Sequence, residues 1–359
     1  MLIFPKEKLF QFAKSMLTAA GLSADDAATG AAVLIQSDLS GVDSHGLSRL
    51  PLYLSRIKAN LVNVAAKVKI VSETATTLVV DCDNGMGIAT MPGIMDLCLK
   101  KAKESGLAAA TLRHSNHYGV GNYYALKSIN EGMISIMTTN TTPCMAPTGG
   151  VDLLIGTNPI TVAVPAARQK PIILDMATSN VAMGKLQAMF REKQKIPFGW
   201  AITKEGLPTD EPSEAVEGSL LPIAGYKGYG LAVMVDILSA VLAGASFGFD
   251  IGRLDRAKVP KPEGIGHFLL VIDPSRFLPL DEFKKRVDDY VLTMKESNKA
   301  KGVQEILLPG ELELRKMEQR SQEGIPVTDA LAALLLGLAK ELKLAGPDDD
   351  FSSLINKAS

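Results

Sequence analysis

Apolar positions recur at helical spacing through the first sixty residues. Leu9, Phe12, Ala13, Met16 and Leu17 form one stripe, and Gly21 is placed to end that helix. Ser23, followed by Asp25 and Asp26, predicts the N-cap and acidic first turn of a second helix running through Leu34 and Ile35. After a break at Gly41, Ser48 to Asn60 reads as a third helix with Pro51 near its start, where proline is tolerated.

From Ala66 the period shortens. Val68 to Val71 and Thr77 to Asp81 are β-branched runs that predict a hairpin. Helix and strand signals then alternate: helix Ile88 to Glu104, strand Ala108 to Leu112, helix Val120 to Glu131 and strand Ile134 to Thr138. Strands Ile160 to Val164 and Pro171 to Asp175 and a helix from Lys185 follow, the signature of an α/β layer. Lys204 to Ser219 is rich in turn residues. Leu231 to Ala245 reads as a buried helix and His267 to Asp273 as a strand that completes the layer. Asp281 to Lys295 and Val327 to Leu344 return to helical spacing, so the two chain ends are expected to share a helical domain, 1–65 with 275–359, beside an α/β domain at 66–274. No internal repeat is visible, and Gly346 to Asp350 has the composition of a solvated tail.

Composition narrows the class. With 38 basic against 39 acidic side chains, no global field attracts nucleic acid or an anionic membrane. The most apolar stretch, Leu231 to Ala245, carries Asp236 and falls short of the roughly 20 residues a bilayer span needs. Three widely spaced cysteines, Cys82, Cys98 and Cys144, fit buried thiols in a reducing compartment. Pro5, Lys6, Glu7 and Lys8 stand where a secretory signal would need an apolar run, so a cytoplasmic protein is expected.

Four clusters could carry chemistry. In Asp43-Ser44-His45-Gly46, a helix starting near His45 would align Arg49 and Tyr53 on its face. A guanidinium there could grip a carboxylate by two parallel hydrogen bonds while the imidazole trades a proton with a neighbouring oxygen. An N-cap followed by an incidental histidine is the plainer alternative. His114-Ser115-Asn116-His117 directly follows a strand, at the sheet edge where open α/β folds bind ligands. His114 and His117 together with Asp175 could instead serve a metal-dependent hydrolase or lyase, although the usual ligand pattern is missing. For His267, at the head of an apolar strand, a structural role is expected. Leu174-Asp175-Met176-Ala177-Thr178-Ser179 ends a strand on an acid, which could orient a histidine, meet a ribose hydroxyl or simply cap a helix. Gly225-Tyr226-Lys227-Gly228-Tyr229-Gly230 could cradle a pyrophosphate or form an ordinary turn; neither a Walker A loop nor Gly-x-Gly-x-x-Gly is present. A nucleotide-binding scaffold using that loop alone is a third reading.

Taken together, these blocks resemble the type 2 malate/L-lactate dehydrogenase family, which is distinct from the Rossmann-fold malate and lactate dehydrogenases. The match extends through Gly156-Thr157-Asn158-Pro159, Pro208-Thr209-Asp210 and Leu308-Pro309-Gly310-Glu311. The resemblance implies a non-Rossmann mixed α/β fold, a homodimer, and NAD- or NADP-dependent reduction of small 2-oxo acids or cyclic imines. By analogy His45 or His117 would be the proton donor, Asp175 its partner and a cofactor neighbour, and Arg49 the carboxylate clamp, with Ser44 and Tyr53 on the substrate side. Thr139, Asn140, Thr141, Thr142, Met176, Ala177, Lys227, Gly228, Ile306, Leu307 and Leu308 would border the cofactor. The family includes malate, lactate, ureidoglycolate, sulfolactate and diketogulonate enzymes, so the substrate is not fixed by the resemblance.

Overall fold

A computed structural model describes residues 1–253 and 260–344, so the expected tail at Gly346 to Asp350 lies outside the described residues. The chain opens with β1 (Leu2–Phe4), α1 (Lys6–Ala19), α2 (Ala24–Leu39) and α3 (Leu50–Lys58). Next come β2 (Lys69–Glu73), β3 (Thr77–Asp81), α4 (Gly87–Ser105), β4 (Leu107–Ser115), α5 (Gly121–Asn130), β5 (Ile134–Thr139), β6 (Ile160–Val164) and β7 (Ile172–Met176). An excursion follows: α6 (Met183–Glu192), the small strands β8 (Ala201–Ile202), β9 (Pro208–Thr209) and β10 (Ser219–Leu220) with α7 (Pro212–Glu217) between them, and α8 (Tyr226–Asp236). The chain returns through β11 (Ile265–Ile272), α9 (Leu280–Lys295), α10 (Glu311–Glu323), β12 (Ile325–Val327) and α11 (Asp329–Glu341).

Seven strands form one mixed sheet in the order β2-β3-β4-β11-β5-β6-β7. Only β3 and β4 pair in parallel; the other ladders are antiparallel, including the expected β2–β3 hairpin. This is not a Rossmann arrangement. Because β11 runs antiparallel to both β4 and β5, those two strands are parallel to each other. β7 shares their direction through β6. The carboxyl ends of β3, β4, β5 and β7 therefore lie on one sheet edge, and that edge is where His117, Thr139–Thr142 and Asp175–Ala177 emerge.

The chain ends meet. β1 pairs with β12, Leu2 opposite Val327, and one apolar cluster unites Leu9, Met16 and Leu17 of α1 with Leu34 of α2, Leu50 of α3 and Leu335 of α11. Each such fully buried side chain contributes about 1.5–3 kcal/mol of transfer free energy. Ser23 caps α2 as expected, its oxygen accepting the Asp26 N–H at 3.1 Å. A second cluster fills the space between α4 and the sheet, with Met95 and Cys98 against Val80, Leu112 and Leu269.

Three departures have physical causes. The turn-rich stretch 204–219 folds into a three-stranded sheet with β8, whose two-residue strands are too short for alternation to register. α10 is highly polar and was not expected; its few apolar positions, Leu314 and Met317, pack against Ile173, Ala125 and Gln36. The helix expected to be buried at 231–245 is α8 continued by a π-turn at Ile237–Val241, and Leu231, Met234, Ile237, Val241 and Leu242 are all exposed. Its all-round apolar composition exceeds what one neighbouring sheet face can cover. No helix among the described residues is long and apolar enough to cross a membrane.

Candidate active site

The Ser44–Arg49 segment is not the start of a helix. Two 3-10 turns, Asp43–His45 and Leu47–Arg49, precede α3, with Pro51 in its first turn. Asp38 at the end of α2 pins the turns: its Oδ2 accepts the Leu47 N–H at 2.9 Å. A Cβ on Gly46 would lie 1.8 Å from Asp38 Oδ1, so only glycine fits there. Burial pushes the Asp38 carboxyl up to about 7, against the Leu47 bond that lowers it. Arg320 of α10 holds the segment from outside, bonding the Asp38 carbonyl and Asp43.

Inside the segment, Ser44 Oγ lies 2.9 Å from His45 Nδ1, and Arg49 Nε donates to the Ser44 carbonyl at 2.8 Å. Arg49 is thus fixed by one nitrogen, and its two terminal amino groups have no hydrogen-bond partner among the described residues. A planar fork held in this way matches the two oxygens of a carboxylate.

His117 faces this segment from the loop after β4, its ring centroid 5.4 Å from that of His45. Its backbone N–H donates to Glu263 Oε2 at 2.9 Å, and Glu263 Oε1 meets Arg56 Nη1 at 3.2 Å in a buried pair. Tyr53 Oη lies 2.7 Å from His117 Nδ1, and the Gly119 N–H donates to the same nitrogen at 3.2 Å. An N–H aimed at Nδ1 requires a lone pair there, so the neutral ring carries its proton on Nε2 and Tyr53 is the donor. Burial holds His117 well below its usual range, with Arg49 and His45 adding to the effect. Burial and then Arg49 lower His45 to about 4. Both imidazoles are neutral at neutral pH.

The expected cofactor residues divide into two sets. Thr139 and Asn140 turn inward: Thr139 Oγ1 bonds His267 Nδ1 at 2.7 Å, and Asn140 bridges Ser246 O and the Gly266 N–H. Thr141 and Thr142 are partly exposed just beyond them. Asp175 pairs with neither histidine. Its oxygens accept the Thr161 hydroxyl at 2.8 Å and the Asn122 N–H at 2.9 Å, fixing the start of α5 to β7, and burial raises its pKa. The expected Asp175–histidine pair does not form; Asp175 is a strand-to-helix tie.

Beyond Asp175, the Thr178 carbonyl accepts the Ile223 N–H at 2.8 Å, so Met176 and Ala177 approach the loop that opens α8. That loop passes through left-handed Ala224 and Gly225, with φ of 50° and 63°, and Lys227 is exposed in the first turn. First-turn amides lack helical partners and, beside a lysine, suit a pyrophosphate. The residues present therefore fit a dinucleotide. Ile306–Leu308 lead to Pro309, whose carbonyl accepts the Ile173 N–H at 3.0 Å on the outer edge of β7.

The metal reading fails on geometry. His114 is exposed and bonded to Asp81 at 2.9 Å, while His117 and Asp175 have other partners. Among the described residues no three His, Cys, Asp or Glu converge at metal-binding distance. His267 is structural, as expected, with both nitrogens bonded. Asp38, Arg56 and Glu263 had no signal in the sequence, for a lone charged residue in a helix or between Pro262 and Gly264 has no periodic signature.

The sequence profile of malate/L-lactate dehydrogenases matches residues 4–335. Malate dehydrogenase from Pyrococcus horikoshii is 39% identical over 95% of this chain and 96% of its own length. Ureidoglycolate dehydrogenase (NAD(+)) from Escherichia coli O157:H7 is 30% identical over 92% and 94%. The solved structure of sulfolactate dehydrogenase from Methanocaldococcus jannaschii superposes with a TM-score of 0.87 at 37% identity, covering 96% of this chain and 98% of that one. With the non-Rossmann sheet and the arginine–histidine cluster on its edge, these likenesses lead to one conclusion: the chain belongs to the malate/L-lactate dehydrogenase family.

Proposed function

We propose that this protein is an NAD- or NADP-dependent oxidoreductase that moves a hydride between nicotinamide and the alpha carbon of a small 2-hydroxy or 2-oxo carboxylate, of the malate, lactate or ureidoglycolate kind. The observation that carries this is the unpartnered Arg49 fork beside two neutral imidazoles whose rings lie 5.4 Å apart. Arg49 binds the carboxylate. His117, its Nδ1 occupied from behind, turns its Nε2–H to the adjacent oxygen and polarises the carbonyl as a neutral donor, a role imidazoles take in other sites. His45 flanks that oxygen from the other side, with Ser44 setting its ring. When bound, the cofactor supplies the hydride. Thr141, Thr142, Met176, Ala177, Lys227 and Gly228 border it, and Asp175 keeps that edge in register by tying β7 to α5.

The chain divides between these tasks: residues 1–65 with the C-terminal helices carry Arg49, His45 and Tyr53, and the sheet domain carries His117 and the cofactor edge. The exposed apolar face of α8 and its π-turn is the proposed self-contact of a homodimer, since a patch of this kind is rarely left open to water. Light scattering should then give twice the 38.2 kDa chain mass. Buried thiols at all three cysteines support a cytoplasmic setting.

The test is a panel of 2-oxo acids and cyclic imines mixed with NADH or NADPH and followed by cofactor absorbance. Oxidation by at least one member is expected, and turnover by none would refute the reading.

A further inference from the structure

The geometry points to Tyr53 as the residue that refills His117 during the reaction, through a two-proton relay in which the tyrosine hydroxyl, and not solvent, stands behind the imidazole. The inference rests on the dehydrogenase reading and adds the origin of the proton. Three observations bear on the Tyr53–His117 pair. His117 Nδ1 receives the Tyr53 hydroxyl at 2.7 Å and the Gly119 N–H at 3.2 Å, so its lone pair is held ready for a proton from the tyrosine side. Tyr53 itself is enclosed, 3% exposed, within the apolar cluster of α1, α2 and α3. Burial raises the Tyr53 phenol above its usual range; Arg49 works against that rise, Glu263 adds to it, and Arg56 again opposes it, so the two guanidiniums are what moderates the cost of its anion.

A neutral imidazole is a weak acid unless its second nitrogen gains a proton as the first one leaves. As the hydride bonds to the carbonyl carbon of the 2-oxo acid, the C=O electron pair moves to oxygen. That oxygen takes the Nε2 proton of His117, and Nδ1 takes the phenolic proton of Tyr53. The products are the 2-hydroxy acid, a neutral His117 with its proton on Nδ1, and a tyrosinate near Arg49 and Arg56. An alkoxide is a stronger base than a phenolate, which drives the transfer; burial of Tyr53 narrows that margin and Arg49 and Arg56 restore part of it. After the product leaves, Nε2 takes a proton from solvent in the open cleft and Nδ1 returns its own to Tyr53. One hydride and one solvent proton are consumed per turnover, and the imidazolium, which burial disfavours, is never required at rest.

Tyr53→Phe keeps the ring and deletes the hydroxyl, so the core packing survives. The single-turnover rate of NADH oxidation should fall about 10²-fold, the lower range for a positioned proton donor. The NADH Kd by fluorescence and the KM of the acid should stay within twofold. In mixtures of H2O and D2O, the wild-type rate should bow with deuterium fraction, as two protons moving together require, and the variant should give a straight line. A variant that retains turnover within threefold, or a straight line for the wild type, overturns the relay while leaving the dehydrogenase reading intact. A wild-type enzyme that reduces no 2-oxo acid overturns both.

Discussion

His117 and His267 stand close together at the same sheet edge, with Tyr118 next to one and edge-on to the other at 5.0 Å. Both are kept neutral by burial. They differ in how many ring nitrogens the protein occupies. His267 gives Nδ1 to Thr139 at 2.7 Å and Nε2 to Ser115 at 2.8 Å, joining β5 to β4 across the strand that carries it. His117 commits only Nδ1, and among the described residues its Nε2 has no partner. An imidazole with both nitrogens bonded is a strut; one with a nitrogen left over is available to a ligand.

The contrast breaks most sharply through His117→Ala. Turnover should drop about 10²- to 10⁴-fold with NADH binding preserved, as for loss of a positioned acid–base group. A matched His45→Ala should lose less; the reverse order would transfer the proton-donating role to His45. Steady-state kinetics on both variants decides. Next in size is Arg49→Lys, which keeps the charge and removes the planar fork. KM for the acid should rise about 10- to 100-fold with the cofactor Kd unchanged, a cost of about 1–3 kcal/mol for a charge-assisted pair. An unaltered KM would mean that the carboxylate binds elsewhere.

How much of this was legible in the sequence depends on the scale at which the signal is written. Helices α1, α2, α4 and α5 and all seven strands of the main sheet announce themselves, the helices and most strands because each buries one face and so repeats at its own period, and β2 through its β-branched run alone. His45, Arg49 and His117 stood out as residues able to move a proton or grip a carboxylate, placed at the ends of predicted elements. The approach of His117 to the His45–Arg49 segment did not, since it joins distant stretches of the chain, beside a sheet whose β11 inserts between β4 and β5 from more than a hundred residues away. The same insertion brings Glu263 to the His117 amide, a contact with no local trace. Tyr53 was expected on the substrate side from helical spacing to His45. The 3-10 turns break that register and swing it behind His117 instead.

His267→Phe tests the other half of the contrast. Removing the strut deletes one hydrogen bond from each of the buried Thr139 and Ser115 hydroxyls, which keep backbone carbonyl partners, at about 0.5–1.5 kcal/mol apiece. Turnover per folded molecule should change only a few-fold, with Tm lowered by several degrees. The pH dependence sharpens the point. The folded His267 titrates at about 3 against 6.5 for a free histidine, so below 6.5 the unfolded chain binds a proton that the folded one refuses. Its share of stability is complete above pH 6.5 and is lost as pH falls toward 3, by about 1.4 kcal/mol per unit. Asp38 acts in the opposite sense, stabilising below its free value of 3.8 and losing that contribution as pH rises toward 7. Subtracting the variant's stability curve from the wild-type curve cancels Asp38 and isolates His267. A flat difference between pH 4 and 6 would show that the ring is not held neutral.

The smallest effect belongs to His114, the neighbour that looked most like a metal ligand. It sits at φ 49°, a left-handed conformation that asparagine tolerates better than histidine, and its bond to Asp81 is at the surface. An exposed pair of this kind is worth less than about 1 kcal/mol, and relief of backbone strain offsets part of that. His114→Asn should therefore shift stability by no more than about 0.5 kcal/mol in urea titration and leave kcat and KM untouched. Placed beside His117→Ala, three residues further along the chain, this variant asks whether position at the sheet edge is enough for function. A large loss of turnover in His114→Asn would mean that the contacts of His117 with Tyr53 and the His45 ring are not what distinguishes the two.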